Sequence, residues 1–309
     1  MRRTYAREAK MEQFDALIVG HGPAGCSAAL YLCRAGLRTA MVGKDRGALE
    51  RAERIENYYG LASPLRGLEL MEIGQAQCRA LGASLLRDEV LSLELREDLS
   101  FTAQASSGLE LSAKAVLLAT GKAKAVPGIE GIRSFEGHGV SYCAVCDAFL
   151  YRGREVAVLG AGVYAKHEME ALLPLARRVT LLTNGAKPDF DIPDKIAVIR
   201  QKILRLTGEE TLRGAVLEDG GALEFQGLFV ALGSATAGDL ARKLGARLER
   251  DAIAVNTRQE TTLPGLYAAG DCTGSFPQVS IAVAEGAKAG MSMVSHLRKK
   301  SRGAQSQEE

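Results

Sequence analysis

A chain of 309 residues is too long for one ordinary core, so two domains are expected, and a hydrophobic content of 47% is enough to bury both. Thirty-nine Lys and Arg against 37 Asp and Glu leave a net charge of +2, which argues against a nucleic-acid partner, since that would need a basic face. No apolar run approaches membrane-spanning length, and the charged segment from Met1 to Gln13 lacks the apolar stretch of a signal peptide, so a cytoplasmic protein is expected.

In chain order, Phe14 to Val19 is a short apolar run ending at Gly20 and reads as a buried parallel strand. The glycine-rich segment Gly20-His21-Gly22-Pro23-Ala24-Gly25 follows, then a predicted helix over 23–35 closed by Gly36 and a strand over 38–42. Glycines placed between a strand and a helix let the backbone approach a pyrophosphate, and the helix N-terminus favours its negative charge. A helical pattern over 69–81 and a buried strand over 113–119, closed by Thr120-Gly121, come next. Pro127-Gly128 marks a break, and the composition stays loop-like through Gly139. A second strand–turn–helix–strand unit then spans 155–159, 163–173 and 179–182 around Gly160-Ala161-Gly162-Val163-Tyr164-Ala165. It recurs about 140 residues after the first, as two copies of one architecture would. Strands are expected over 228–232, 251–255 and 266–269, the last running into Gly270-Asp271. A helix over 279–296 ends the fold, and the polar tail from Lys299 is expected to fray. The fold class is therefore α/β, with two Rossmann-like dinucleotide-binding domains, the second inserted in the first. The expected bounds are 14–124 with 252–309 for the first and 125–251 for the second.

Between the two glycine loops lies Ser141-Tyr142-Cys143-Ala144-Val145-Cys146-Asp147. Two cysteines separated by two residues form an easily reduced disulfide, or else half of a zinc site. Zinc needs two more ligands, and His21, His138, His167 and His296 have no finger-like spacing. The redox reading is preferred, with no metal. Asp147 is either the proton donor to that couple or a solvated turn acid, and His138 either tunes a thiolate or makes an ordinary loop contact. Cys26, Cys33, Cys78 and Cys272 are scattered singly and read as small buried residues, a usage that fits a reducing compartment. Gly270-Asp271 before a long helix offers a carboxylate to a ribityl hydroxyl and a helix N-terminus to a flavin ring.

These motifs resemble those of the low-molecular-weight thioredoxin reductases. The likeness takes in Gly20 to Gly25, Ile55-Glu56-Asn57-Tyr58-Tyr59-Gly60, Ala119-Thr120-Gly121, Val140 to Asp147, Leu266 to Asp271 and Gln278-Val279. The resemblance implies a homodimeric FAD enzyme that reduces thioredoxin or a similar disulfide. It assigns FAD binding to Gly20, Gly22, Pro23, Ala24, Gly25, Asn57, Thr120, Gly121, Gly270, Asp271, Gln278 and Val279. It further implies that Cys146 faces the flavin, Cys143 attacks the partner disulfide and Asp147 handles protons.

The departure lies at the second loop. Family members that use NADPH carry Gly-Gly-Gly-Asp/Asn-Ser/Thr-Ala there, a His-Arg-Arg run after the next strand and another Arg slightly later. Here Gly160, Gly162, Tyr164 and Ala165 are what remains for a second dinucleotide, the strand is followed by Thr183-Asn184-Gly185, and Asp189 falls at the later Arg. A 2′-phosphate loses its cationic partners, and Arg177, Arg178 or Lys187 replaces them only by an unusual route. Tyr164 is also expected to crowd a nicotinamide. The resemblance thus points to the pyridine-nucleotide-independent branch, fed by ferredoxin or by a second FAD. The alternatives are a conventional NAD(P)H-dependent enzyme and a redox-sensing flavoprotein without turnover.

Overall fold

The computed structural model describes residues 11–44, 47–122, 128–250 and 252–305. The chain divides into two compact units, Met1–Ala123 with Thr236–Glu309, and Lys124–Ala235. The expected crossing at 124–125 lies outside the described residues. The return falls at Thr236, not at 252, because the segment after Ala235 packs with the first unit.

The first unit opens with strand β1 (Glu12–Val19), helix α1 (Pro23–Arg34) and strand β2 (Thr39–Val42). Pro23 occupies the first helical turn, where its missing N–H is not needed, and Gly36 ends the helix with φ 77°. Helix α2 (Gly67–Ala80) leads to β3 (Ser84–Leu86). Strands β4 (Val90–Leu95), β5 (Phe101–Ala105) and β6 (Glu110–Leu118) form an antiparallel run, of which only the last is expected from the sequence. The sheet order is β3-β2-β1-β6-β5-β4.

The second unit contributes β7 (Val140–Ser141), the single turn α3 (Ala144–Asp147), β8 (Glu155–Leu159), α4 (Val163–Leu172), β9 (Arg178–Leu182) and β10 (Ala197–Ile199). Strands β11 (Ile203–Gly208), β12 (Leu212–Leu217) and β13 (Ala222–Glu224) make a separate antiparallel sheet, and β14 (Gly227–Val230) completes a parallel sheet of order β10-β9-β8-β14-β7. The central strands β8 and β14 are buried along nearly their whole length, as parallel strands covered on both faces are.

Back in the first unit come α5 (Ala237–Lys243), the short pair β15 (Leu248–Glu249) and β16 (Ala252–Ile253), strand β17 (Leu266–Ala268) and α6 (Val279–Gln305). Strand β17 pairs in parallel with Val116–Leu118 of β6, while Glu110, Leu111, Ser112 and Ala113 of β6 pair with β5. Helix α6 runs to Gln305, so the tail expected to fray from Lys299 is helical that far. The ammonium of Lys300 ties it down by donating to the carbonyls of Asp98 and Leu99 at 3.2 and 3.1 Å. The last four residues lie outside the described ones. No described helix is long and apolar enough to cross a membrane.

Helix α6 packs closely on α1. A Cβ on Gly286 would lie 2.1 Å from the Ala24 carbonyl oxygen, and one on Gly290 would lie 2.8 Å from that of Ala28. Both obstacles are backbone, so a larger residue has to push the helices apart. Gly286→Ala is expected to cost about 1–3 kcal/mol, as overpacking in a core does. Thermal unfolding followed by circular dichroism checks it, and an unchanged midpoint refutes it.

Candidate active site

In the first unit the residues assigned to flavin binding converge at the carboxyl ends of β1, β6 and β17, the edge where α/β folds receive dinucleotides. Gly20 has φ 112°, and a Cβ there would lie 2.2 Å from the Ala119 carbonyl oxygen. A Cβ on Gly25 would lie 2.1 Å from the Gly20 carbonyl oxygen, whereas Gly22, the N-cap of α1, has open space before it. Two glycines are therefore required by the packing of the loop on its own strands, and the third leaves the helix N-terminus bare. Thr120 and Gly121 follow β6; Gly121 has φ 79°, and the Thr120 hydroxyl accepts a hydrogen bond from the Ala237 amide at 3.0 Å.

Gly270 has φ 83°, and its amide donates to the Glu285 carboxylate at 2.7 Å. A Cβ on Gly270 would lie 3.2 Å from that of Ala24, so Asp271 stands beside the first glycine loop. Gln278 immediately precedes Val279, the first residue of α6, and its side-chain oxygen accepts from the Asn57 amide at 3.1 Å across 221 residues of sequence. Asn57 and Gln278 are thus brought together by the fold. The loop fits a pyrophosphate by the same observation that makes it a glycine loop, namely bare backbone with no room for, or no sign of, a side chain. Two residues escaped the sequence reading. Gln75 donates to the His21 ring at 2.8 Å, and Glu285 fixes Gly270. Glu285 lies nearly two helical turns into α6 and carries no motif of its own.

In the second unit Cys143 and Cys146 form a disulfide, with Cα atoms 5.3 Å apart. Both sulfurs are taken up in that bond. Strand β7 delivers the chain to Tyr142, and Cys143 caps α3, its sulfur accepting from the Cys146 amide at 3.0 Å. Cys143 is buried at 1% exposure and Cys146 is half-buried. The Ser141 hydroxyl donates to the Asp147 carboxylate at 2.7 Å and accepts from the Cys143 amide at 3.1 Å. Asp147 is thus held against the couple by a serine, and is no freely solvated turn acid. Burial, and then the Asp147 carboxylate, push the Tyr151 phenol up from its ordinary value. His138 is exposed, and its backbone bonds to Phe135 and Leu212.

The second glycine loop leaves the same sheet edge. Gly160 follows β8, and a Cβ there would lie 2.1 Å from the Ala231 carbonyl oxygen. Strands β7, β14 and β8 are neighbours and parallel, so the dithiol segment and this loop emerge side by side from their carboxyl ends. The charge beside this loop is negative. The Asp189 amide donates to the Ala161 carbonyl at 3.0 Å, and its carboxylate comes within 3.7 Å of a Cβ placed on Gly162. Arg177 and Arg178 both pair with Glu155. Glu155 begins β8 and faces Arg178 in the ladder. That is the amino edge of the sheet, about 16 Å from Gly160 at strand spacing. The structure therefore removes Arg177 and Arg178 as substitutes for the missing phosphate partners, and Lys187 is left as the exposed cation between β9 and Asp189. Tyr164 is 1% exposed and donates to the Tyr142 carbonyl at 3.4 Å, and Ala165 is fully buried. Tyr164 thus packs inward beneath the dithiol segment, so its bulk is taken up by the core.

The remaining cysteines form no disulfide among the described residues. Cys26, Cys78 and Cys272 are buried and Cys33 is half-buried. Burial pushes the Cys272 thiol up to about 12.

A model of the pyridine nucleotide-disulphide oxidoreductase family matches residues 14–286. The chain is 32% identical over 298 residues to a thioredoxin reductase of Aquifex aeolicus, covering 91% of this chain and 92% of that relative. Among solved structures, the atypical thioredoxin reductase TRi of Desulfovibrio vulgaris Hildenborough has a TM-score of 0.86 at 39% identity, covering 92% of this chain and 98% of that one. A ferredoxin-flavin thioredoxin reductase of Clostridium acetobutylicum has a TM-score of 0.73 at 31% identity, covering 94% of this chain and 99% of that one. The chain belongs to the pyridine nucleotide-disulphide oxidoreductase family and is a thioredoxin-reductase-like flavoprotein enzyme acting on disulfides.

Proposed function

We propose that this enzyme binds FAD at Gly20, Gly22, Pro23, Ala24, Gly25, Asn57, Thr120, Gly121, Gly270, Asp271, Gln278 and Val279, and reduces thioredoxin or a similar disulfide through Cys143 and Cys146. Its electrons come from a donor other than NADPH, either ferredoxin or a second flavin at the loop around Gly160 and Gly162. The observation that carries the donor reading is Asp189, whose carboxylate stands beside Gly162 where NADPH needs a cation. Likeness to a ferredoxin-flavin thioredoxin reductase supports the same direction. The intact glycines of the second loop favour one other reading, NADH as donor, because NADH lacks the 2′-phosphate.

FAD bound in the first unit supplies a two-electron relay to the dithiol. The protein's own residues do the rest. Two electrons and two protons open the Cys143–Cys146 disulfide to two thiols. The Cys143 thiolate then attacks the partner disulfide, forming a mixed disulfide and expelling one partner thiolate. The Cys146 thiolate attacks the Cys143 sulfur, re-forms the internal disulfide and releases the reduced partner. Asp147, hydrogen-bonded to Ser141, holds and returns the protons. Cys143 is buried in the disulfide state, so this cycle requires it to become accessible after reduction. The protein works as a homodimer, as the resemblance implies.

The test is anaerobic stopped-flow reduction of the purified protein by NADPH, NADH and reduced ferredoxin, with thioredoxin as acceptor. Fast reduction by ferredoxin and slow reduction by NADPH are expected, and the reverse order refutes the donor assignment. Asp147→Asn is expected to slow thioredoxin reduction by about 10²-fold, the lower range for loss of a general acid. A steady-state kcat unchanged from that of the unmodified protein sinks the proton role.

A further inference from the structure

The helix behind the second glycine loop carries a buried carboxylate that the cycle above does not use. Glu168 is 1% exposed, and one of its oxygens accepts from the Ala144 amide at 2.6 Å. Its other oxygen lies 3.2 Å from His167 Nδ1. Ala144 directly follows Cys143, which is itself 1% exposed. One turn earlier on α4, the Tyr164 hydroxyl donates to the Tyr142 carbonyl at 3.4 Å. Successive turns of one helix therefore grip the backbone on both sides of the first cysteine. The sequence reading missed Glu168 because 24 residues separate it from Ala144 and no motif joins them.

We propose that Glu168 is a positioning residue for the dithiol, holding the Cys143 peptide in place while its negative charge sets how readily Cys143 ionises. The proposal rests on Cys143 and Cys146 being the redox couple. A neutral acceptor would satisfy the Ala144 amide equally well, so the function of a carboxylate there lies in its charge. Buried charges are costly unless partnered, and this one is partnered by an amide and an imidazole. Both Glu168 and Cys143 are shielded from water, so solvent screens their mutual repulsion little. The other titratable groups around the couple are His167 and Tyr164 on α4, Tyr142 with its hydroxyl on Glu136, Asp147 on Ser141, and Tyr151. Asp147 acts in the same direction as Glu168, and substitution separates the two.

The experiment equilibrates the holoprotein with glutathione across neutral to alkaline pH and scores the couple by alkylation and mass spectrometry. Below the first thiol ionisation, reduction takes up two electrons and two protons; above it, two electrons and one proton. The dependence of potential on pH therefore breaks at that ionisation. E168Q, which keeps an acceptor and removes the charge, is expected to raise the ionisation constant about tenfold, moving the break down by about one pH unit. E168D keeps a charge but withdraws it, so its break should fall between the other two, and it serves alone if E168Q does not fold. A break at the same pH in the unmodified protein and in either variant overturns the proposal. Failure of the unmodified protein to show any reversible Cys143–Cys146 couple refutes instead the dithiol reading beneath it.

Discussion

Replacing either Cys143 or Cys146 by Ser is expected to lower thioredoxin reduction by at least about a thousandfold, in line with the loss of a nucleophile in enzymes that act through one. The two variants should fail in different ways. Cys146→Ser leaves Cys143 able to attack but unable to be resolved, so a mixed disulfide with thioredoxin accumulates and is visible on a non-reducing gel. Cys143→Ser should give no such adduct. The structure makes this a demanding forecast, because the half-buried sulfur is Cys146 and the buried one is Cys143. If the adduct forms with Cys143→Ser and not with Cys146→Ser, the roles are exchanged, and the more accessible cysteine is the attacking one. Neither residue belongs to the first unit, so flavin content serves as the folding control.

Both glycine loops could be read from sequence because the constraint on them is local. Gly20, Gly25 and Gly160 each face a carbonyl oxygen about 2 Å from where a Cβ would sit, and a strand–Gly–helix order announces that crowding. The CxxC was legible for the same reason, its chemistry being contained in four residues. What escaped depended on long-range partners. Strands β4 and β5 have mixed composition and are fixed by pairing with β6. Helix α5 did carry a readable signal, the capping box of Thr236 and Asp239, and it marks where the chain re-enters the first unit. The expected return near 252 overlooked it. Glu168 and Glu285 could not be found by pattern, since each acts on a backbone amide that only folding brings to it. Arg177 and Arg178 show the opposite case. Their sequence position left a phosphate role open, and the pairing of β8 with β9 closes it by placing them at the far edge with Glu155.

That placement makes the expected response to NADPH large. A charged hydrogen bond to phosphate contributes about 1.5–3 kcal/mol, and about 1.4 kcal/mol is tenfold in affinity. Absence of two arginines therefore weakens NADPH by roughly a hundredfold or more relative to a family member that has them. The Asp189 carboxylate, near Gly162 where the cradle opens, adds repulsion against a group carrying up to two negative charges. Asp189→Asn should recover part of the loss, several-fold in the concentration of NADPH giving half-maximal flavin reduction, with NADH changed less because it lacks the 2′-phosphate. Stopped-flow titrations with the two nucleotides, on both proteins, measure that contrast. Equal gains for NADPH and NADH would mean that Asp189 repels the shared pyrophosphate and has no special bearing on the 2′ position. Rapid reduction of the unmodified protein by micromolar NADPH would overturn the electrostatic argument itself. Lys187, or Lys202 packed against Gly185, would then be the cation that reaches the phosphate, since the two arginines are engaged with Glu155 at the other end of the sheet.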